Sequence, residues 1–288
     1  MYKTIVMNKI RYLLFWLLFI SSSIPALAQN TTIECMYEYR YVSDTTATKM
    51  SESGVFEEGD STKIVKENLL LYCGGSVSLF YSYDQMVVDS VSAANKLAGK
   101  PALAGYKGNM GSSQRIYKDF GNGKITLFDK IGMDWFKIVE TLPAFEWNLC
   151  NEWKDINGYR VSKATCRFRG RSYEAWYAPD IPVSDGPWKF CGLPGLVFEV
   201  YDTPCHYHYR LTGIRTKEVP VDYPDLNAIE TNMKKFNDTK RRYLENPALY
   251  MSNTYGGAVS FVDREGNTID PETLKKELRY DFQETDFK

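Results

Sequence analysis

The feature that most constrains this chain is a run of glycines and prolines that leads directly into an alternating apolar segment. Residues 186–200 read GPWKFCGLPGLVFEV and contain three glycines and two prolines. Within this run, residues 193–196 (LPGL) have the pattern of a type II turn, because proline presets φ at the second position and glycine accepts positive φ at the third. The sequence therefore predicts a backbone corner that is followed at once by a strand over residues 196–201.

A second strong signal is the dipeptide Asn157-Gly158, which predicts a β-hairpin with a two-residue turn. In that hairpin the numbers of facing residues sum to 315, so Glu152 pairs with Lys163 and these opposite charges lie on one face. The other face is apolar on the first strand, with Trp147, Leu149 and Trp153.

The strand that follows a turn at 170–171 alternates clearly. Tyr173, Ala175 and Tyr177 share the apolar face, whereas Glu174 and Trp176 lie on the opposite one. A large aromatic side chain on a polar face needs a covering element or a ligand. We expect one of the helices to cover Trp176, with contact to a ligand or partner as the alternative.

Other segments complete the prediction of a β-rich chain. Alternation predicts an opening strand over 33–41, hairpins over 69–83 and 115–130, and a strand over 205–212 that pairs with the strand after the corner. Apolar residues at helical spacing predict helices near 84–97, capped by Asp84, and over 224–245.

The first 28 residues have the three-part pattern of a cleaved export signal. Lys3, Lys9 and Arg11 precede an apolar run over 13–20, and the small-residue site PALA ends at Ala28. Residues 29–288 then form one β-rich domain, and none of its apolar runs is long enough to span a bilayer. We therefore expect a periplasmic or secreted protein that does not span the membrane after signal cleavage.

Composition excludes some classes of function. The chain has 35 basic and 36 acidic residues, whereas a general nucleic-acid binder needs an excess of positive charge. Six cysteines permit up to three disulfides, but no C-x-x-C spacing indicates a zinc ribbon or a thioredoxin-like site. In the 315 register Cys150 and Cys166 point to opposite faces, so we predict that they are not joined.

Candidate chemistry is sparse. The only histidines, His206 and His208, leave one face of a strand and form a partial metal site, for which Asp202 is a candidate third ligand. No G-x-S-x-G or phosphate-binding glycine motif is present, and no cofactor is predicted. The spacing of the acids near the corner fits ordinary structural roles better than a general acid/base pair. These acids are Glu174, Asp180, Asp185, Glu199 and Asp202.

The corner resembles the signature of the GLPGLI family, secreted proteins of Bacteroidetes, with Val197 in place of the final isoleucine. The residues that carry the resemblance are Gly192, Leu193, Pro194, Gly195 and Leu196. It extends upstream through Ile156-Asn157-Gly158-Tyr159, Gly170-Arg171-Ser172-Tyr173 and Ala175-Trp176-Tyr177. The family has no settled activity, so the resemblance implies an exported β-rich fold and no catalytic residues.

These observations predict a mainly β protein in which helices accompany a curved antiparallel meander sheet or open half-barrel, with a β-sandwich as the alternative. The leading functional hypothesis is a non-enzymatic binding, carrier or assembly protein for an apolar ligand or an outer-membrane partner. The alternative is a metal-dependent enzyme that uses His206 and His208. Trp176 and these two histidines are the predicted binding residues, and the corner is predicted to be structural rather than catalytic.

Overall fold

The fold is mainly β with accessory helices, as the sequence predicts. The computed structural model describes residues 31–43, 64–218, 220–257, 259–262, 267–275 and 282–286. The strands are β1 (Thr31–Val42), β2 (Ile64–Gly74), β3 (Val77–Ser82), β4 (Arg115–Asp119), β5 (Lys124–Ile131), β6 (Asp134–Thr141), β7 (Asn148–Ile156), β8 (Tyr159–Phe168), β9 (Arg171–Ala178), β10 (Leu196–Asp202), β11 (Tyr207–Glu218), β12 (Ala228–Thr231), β13 (Phe261–Val262) and β14 (Thr268–Ile269). The helices are α1 (Tyr83–Leu97), α2 (Met233–Glu245), α3 (Pro247–Tyr255) and a short 3₁₀ helix (Pro271–Leu274).

Twelve of the strands form one open sheet in the order β12-β6-β5-β4-β3-β2-β1-β11-β10-β9-β8-β7. Neighbouring strands are antiparallel, except that the edge strand β12 runs parallel to β6, which makes the sheet mixed. Within the described residues, the two remaining strands pair with each other and not with the large sheet. The alternative of a β-sandwich is therefore wrong for the described part of the chain.

Contacts across the sheet show that it is strongly curved. Lys118 Nζ of β4 lies 2.5 Å from Asp185 Oδ1, and the Val197 N–H of β10 donates to the Asp185 carbonyl at 3.0 Å. These strands are five places apart in the sheet order. At the usual spacing of about 4.8 Å, a flat sheet would hold them about 24 Å apart, so one aspartate contacts both only because the sheet bends around it.

The two faces of the curved sheet differ in character. The inner face carries Tyr37 and Tyr209, which are buried in the main hydrophobic core. Helix α2 packs on this face, where the rings of Phe236 and Phe136 lie 5.9 Å apart. Helix α1 packs on the outer face, where the Tyr72 hydroxyl lies 3.9 Å from the Met86 sulfur.

The hairpin at Asn157-Gly158 forms, but the 315 register holds only near its turn. Trp153 pairs with Ser162 as predicted, whereas Leu149 pairs with Ala164 after a β-bulge between residues 149 and 153. Leu149 and Trp153 are both more than half exposed, so the apolar face predicted for this strand is not buried at these residues. A bulge adds residues to one strand, and alternation in the sequence does not reveal it.

The predicted helix over 224–245 is too long. Residues 228–231 form β12 on the edge of the sheet, Asn232 caps the helix, and α2 begins at Met233. Strand pairing with β6 overrides the helical spacing of Ile229, which is half exposed. The predicted helix near 84–97 is confirmed as α1, although Ser82 rather than Asp84 caps it.

All six cysteines are free thiols in the structure. Cys166 is buried, Cys150 is partly exposed and no disulfide joins them in the structure, although the 315 register from which this was predicted does not extend to them. No helix within the described residues is long and apolar enough to cross a membrane. The predicted signal segment 1–28 lies outside the described residues.

Candidate functional site

A cavity of the described structure lies between the inner face of the sheet, helix α2 and the segment 282–286. Its volume is about 760 Å³, within the range of about 300 to 1,000 Å³ that is typical of small-molecule sites. We call it the inner cavity. Its walls carry seven aromatic rings: Tyr39, Tyr41, Trp188, Tyr207, Phe236, Tyr243 and Phe282.

Alternation in β1 and β11 builds the tyrosine wall of the inner cavity. Tyr39 and Tyr209 face each other across the strand pair and stack with ring centroids 4.5 Å apart. Tyr41, two residues along β1, stacks on Tyr39 at 5.5 Å. Burial raises the pKa of both Tyr39 and Tyr209 well above the ordinary value, so these hydroxyls stay protonated at physiological pH.

Two acidic groups in the cavity wall are held by fixed partners. Asp129 is 2% exposed, accepts a hydrogen bond from Ser113 Oγ at 2.5 Å and forms an ion pair with Lys240 of α2. This pair fastens the helix to β5 at the cavity wall. On another side of the cavity, Glu67 accepts a hydrogen bond from the Ser112 N–H at 2.6 Å. The cavity is thus amphipathic, because polar and charged side chains line it together with the aromatic rings.

A cluster of charged and aromatic side chains on the outer face contains two of the predicted site residues. We call it the outer-face cluster; its members are Lys154, Lys163, Glu174, Trp176, Glu199, Tyr201 and His208. Glu199 lies at its centre, 2.9 Å from His208 Nε2 and 2.5 Å from Lys154 Nζ. Burial alone would raise the pKa of Glu199, but the hydrogen bonds from His208 and Lys154 lower that pKa to about 2.

Trp176 lies on the polar face opposite Tyr173, Ala175 and Tyr177, as predicted, and is 8% exposed. The expectation that a helix covers it is wrong. Lys154 Nζ lies 4.2 Å from the ring centroid, and the indole N–H donates to Glu174 Oε1 at 3.0 Å. Lys154 of β7, two strands away from β9 in the sheet order, therefore covers the ring by a cation–π contact, which sequence alternation alone does not reveal.

The two histidines do not lie in equivalent surroundings. His208 contacts Glu199 and packs edge-on against Tyr201 at 5.4 Å, whereas the backbone carbonyl of His206 accepts a hydrogen bond from the Val42 N–H. Asp202 is fully buried and its Oδ2 accepts from Arg171 at 2.7 Å, so it is not available as a third ligand. Among the described residues, no three His, Cys, Asp or Glu side chains converge as a metal site.

The corner differs from a type II turn. The Gly195 N–H donates to the Leu193 carbonyl at 2.8 Å, which closes a three-residue turn around Pro194. The Leu196 N–H, which would close a type II turn, instead donates to the Ile181 carbonyl at 3.1 Å. The prediction of a type II turn is therefore wrong.

Glycine is nevertheless required at two positions of the corner. Gly195 has a φ of 155°, and a Cβ atom there would overlap the Ala178 carbonyl and lie 3.0 Å from Pro179 Cα. Gly192 has a φ of 87° and lies beside Trp147, whose indole N–H donates to the Cys191 carbonyl at 2.9 Å. The prediction that Gly195 has positive φ is confirmed.

A buried ion pair anchors this corner and was not predicted. Lys118 is 0% exposed and donates to Asp185 Oδ1, to the Gly186 carbonyl at 2.7 Å and to the Phe190 carbonyl at 3.1 Å. The sequence holds one indication of this site, since Lys118 shares the inner side of β4 with the buried Ile116. It does not indicate which acid would meet the lysine.

Comparisons with known proteins give little functional information. A family described as "Protein of unknown function (Porph_ging)" matches residues 169–199, which contain β9, the corner and the start of β10. No curated protein matches the chain. Two solved structures of PNGF-II, in the C2 and P21 space groups, are similar at 17% and 16% sequence identity with TM-scores of 0.47. The similarity covers 72% of this chain but only 32% of those chains.

Proposed function

We propose that this chain is an exported envelope protein that binds an apolar ligand in the inner cavity and does not catalyse a reaction on it. The observation that carries this proposal is the cavity of about 760 Å³ with its aromatic walls. Aromatic side chains are typical of the walls of small-molecule sites, and here polar side chains such as Asn237 and Gln283 share the lining with them. The three-part pattern of residues 1–28 supports export, and residues 192–196 support membership of the GLPGLI family of Bacteroidetes.

A neutral apolar fluorophore, N-phenyl-1-naphthylamine, tests the cavity directly. Asn237 lines it from helix α2, so Asn237→Trp fills part of the space. Lys235 lies on the exposed side of the same helix, and Lys235→Trp adds the same bulk without entering the cavity. We expect saturable binding by the unmodified chain, retained in Lys235→Trp and weakened at least about tenfold in Asn237→Trp, which is about 1.4 kcal/mol.

Two results would contradict the proposal. One is fluorophore binding that does not saturate, and the other is equal binding by both tryptophan variants. Metal analysis of the purified chain addresses the alternative of a metal-dependent enzyme. About one equivalent of tightly held zinc or copper that is lost in a His206→Ala/His208→Ala variant would favour the alternative.

A further inference from the structure

The segment 282–286 contacts the end of the inner cavity without forming regular secondary structure. Its backbone is held by Arg171, whose guanidinium donates to the Gln283 carbonyl at 3.1 Å and to the Phe282 carbonyl at 3.3 Å. The same guanidinium is fixed from behind by the buried Asp202 at 2.7 Å. The group that captures the backbone is therefore oriented by the sheet itself, independently of the segment.

The side chains of the segment are held individually as well. Gln283 Oε1 accepts a hydrogen bond from the Tyr209 hydroxyl at 2.8 Å. The ring of Phe282 lies 5.1 Å from the guanidinium of Arg241. Glu284 forms an ion pair with Lys189, which is 1% exposed. The segment thus presents an aromatic residue, an amide and an acid in succession, and each of them contacts a complementary group of the rest of the chain.

Charge and pairing suit this site to an exchangeable acidic peptide. Without the segment, its wall presents four basic side chains against two acidic ones, namely Arg169, Arg171, Lys189 and Arg241 against Glu140 and Asp202. Lys189 also pairs with Glu140 at 2.6 Å, so removal of Glu284 would not leave the buried lysine unpaired.

The segment of this chain is itself an imperfect occupant. Glu284 Oε2 is buried without a hydrogen bond and lies 3.5 Å from Arg169 Nε. Burial raises the pKa of Glu284, and the ion pair with Lys189 offsets this only in part. A peptide that placed its acid closer to Arg169 would shorten this ion pair to hydrogen-bond distance.

We propose that Arg171, Lys189, Tyr209 and Arg241 form a peptide-recognition site, which residues 282–286 occupy within the chain. In trans the site binds an extended segment of a partner protein with an aromatic residue, an amide and a glutamate in succession. This site adjoins the inner cavity, because Phe282, Gln283 and Glu284 also line that cavity, but the inference rests on the polar contacts of the segment and not on an apolar ligand. A partner must compete with the internal segment, whose effective concentration is on the order of millimolar.

The test uses the full chain and a fluorescein-labelled peptide, Phe-Gln-Glu-Thr-Asp, followed by fluorescence polarisation. In the Glu284→Lys chain, repulsion from Lys189 and Arg169 releases the internal segment. We expect this chain to bind the peptide at least about tenfold more tightly than the unmodified chain does. A peptide with glutamine in place of glutamate should bind at least about tenfold more weakly.

Several results would overturn the inference. A Glu284→Lys chain that stays folded but binds no peptide at about 1 mM would overturn the inference. Equal binding of a scrambled peptide would do the same. If Glu284→Lys fails to fold, the test uses Glu284→Gln, which keeps the shape of the side chain. If Glu284→Gln also fails to fold, the segment is part of the core and the inference is overturned. Concentration-dependent dimers that exchange the segment would assign the site to a second copy instead of a partner.

Discussion

Removal of the Lys118 ammonium should destabilise the fold more than any surface change, because the group is 0% exposed and meets three oxygens. Asp185 is 2% exposed and also accepts from the Gly186 N–H at 2.8 Å and from Cys73 Sγ at 3.6 Å. Lys118→Met keeps much of the volume and removes the charge. It leaves a buried carboxylate without its ion-pair partner, which costs about 3 to 5 kcal/mol.

The measurement is urea unfolding followed by circular dichroism, with the free energy of unfolding extrapolated to water. Thermal unfolding should show a decrease in Tm of about 10 °C, given about 2 to 4 °C per kcal/mol in a domain of this size. Lys124→Met, at the exposed start of β5, is the matched control and should change stability by no more than about 0.5 kcal/mol.

A double variant tests whether the pair itself carries the effect. Lys118→Met and Asp185→Asn should each be strongly destabilising, whereas the combination should be less destabilising than the sum by about 2 kcal/mol or more. The asparagine retains an acceptor for the Gly186 N–H. Additive effects of the two substitutions would refute the reasoning. A decrease of less than about 1 kcal/mol in the free energy of unfolding for Lys118→Met alone would also refute it, because an unpaired buried charge destabilises a fold by more than that.

Three further predictions concern the corner, the outer-face cluster and the cysteines. Gly195→Ala should lower the free energy of unfolding by about 2 kcal/mol or more, measured by urea unfolding, because a Cβ would overlap the Ala178 carbonyl; an unshifted transition would contradict a structural role for the corner. The pKa of Glu199 is lowered from 4.5 to about 2, so its contribution to stability is present above pH 4.5 and lost as pH falls toward 2. Glu199→Gln should flatten the pH dependence of the free energy of unfolding in that window, and an unchanged dependence would contradict the assignment. In the native protein, maleimide should modify Cys150 first, as shown by peptide mass spectrometry, because the other five thiols are buried; equal modification of all six would contradict this.

The hairpin at Asn157-Gly158 shows how far local sequence signals extend. Turn chemistry correctly sets the register next to the turn, because only one two-residue loop satisfies both positive φ values. The bulge beyond it depends on how the edge strand β7 twists against its neighbour, which no dipeptide encodes. Strand β6 was not predicted, and β12 was mistaken for helix, because pairing across the sheet decides both.

The candidate sites divide in the same way. Alternation placed Trp176 and Glu174 on one face correctly, since that property belongs to a single strand. Their partner Lys154 comes from β7, two strands away in the sheet order, so its position depends on sheet geometry. The inner cavity likewise combines β1, β5, the corner and α2, which are distant in sequence. The sequence therefore predicts which side chains share one face of a strand, but it does not predict which strands bring their faces together in a site.

The charged side chains of the outer-face cluster are already paired with one another. This is why the inner cavity is the better place for a ligand. Glu199 is already engaged by His208 and Lys154, and Glu174 by Lys163. A ligand that bound there would have to replace existing charged hydrogen bonds, each worth about 1.5 to 3 kcal/mol, and would gain little apolar burial. In the inner cavity a ligand would cover aromatic surface at about 25 cal/mol per Å² while the Asp129 pair stayed intact. The cluster that contains the predicted residues Trp176 and His208 therefore fits a role in joining β7 to β11, and binding is better supported on the opposite face.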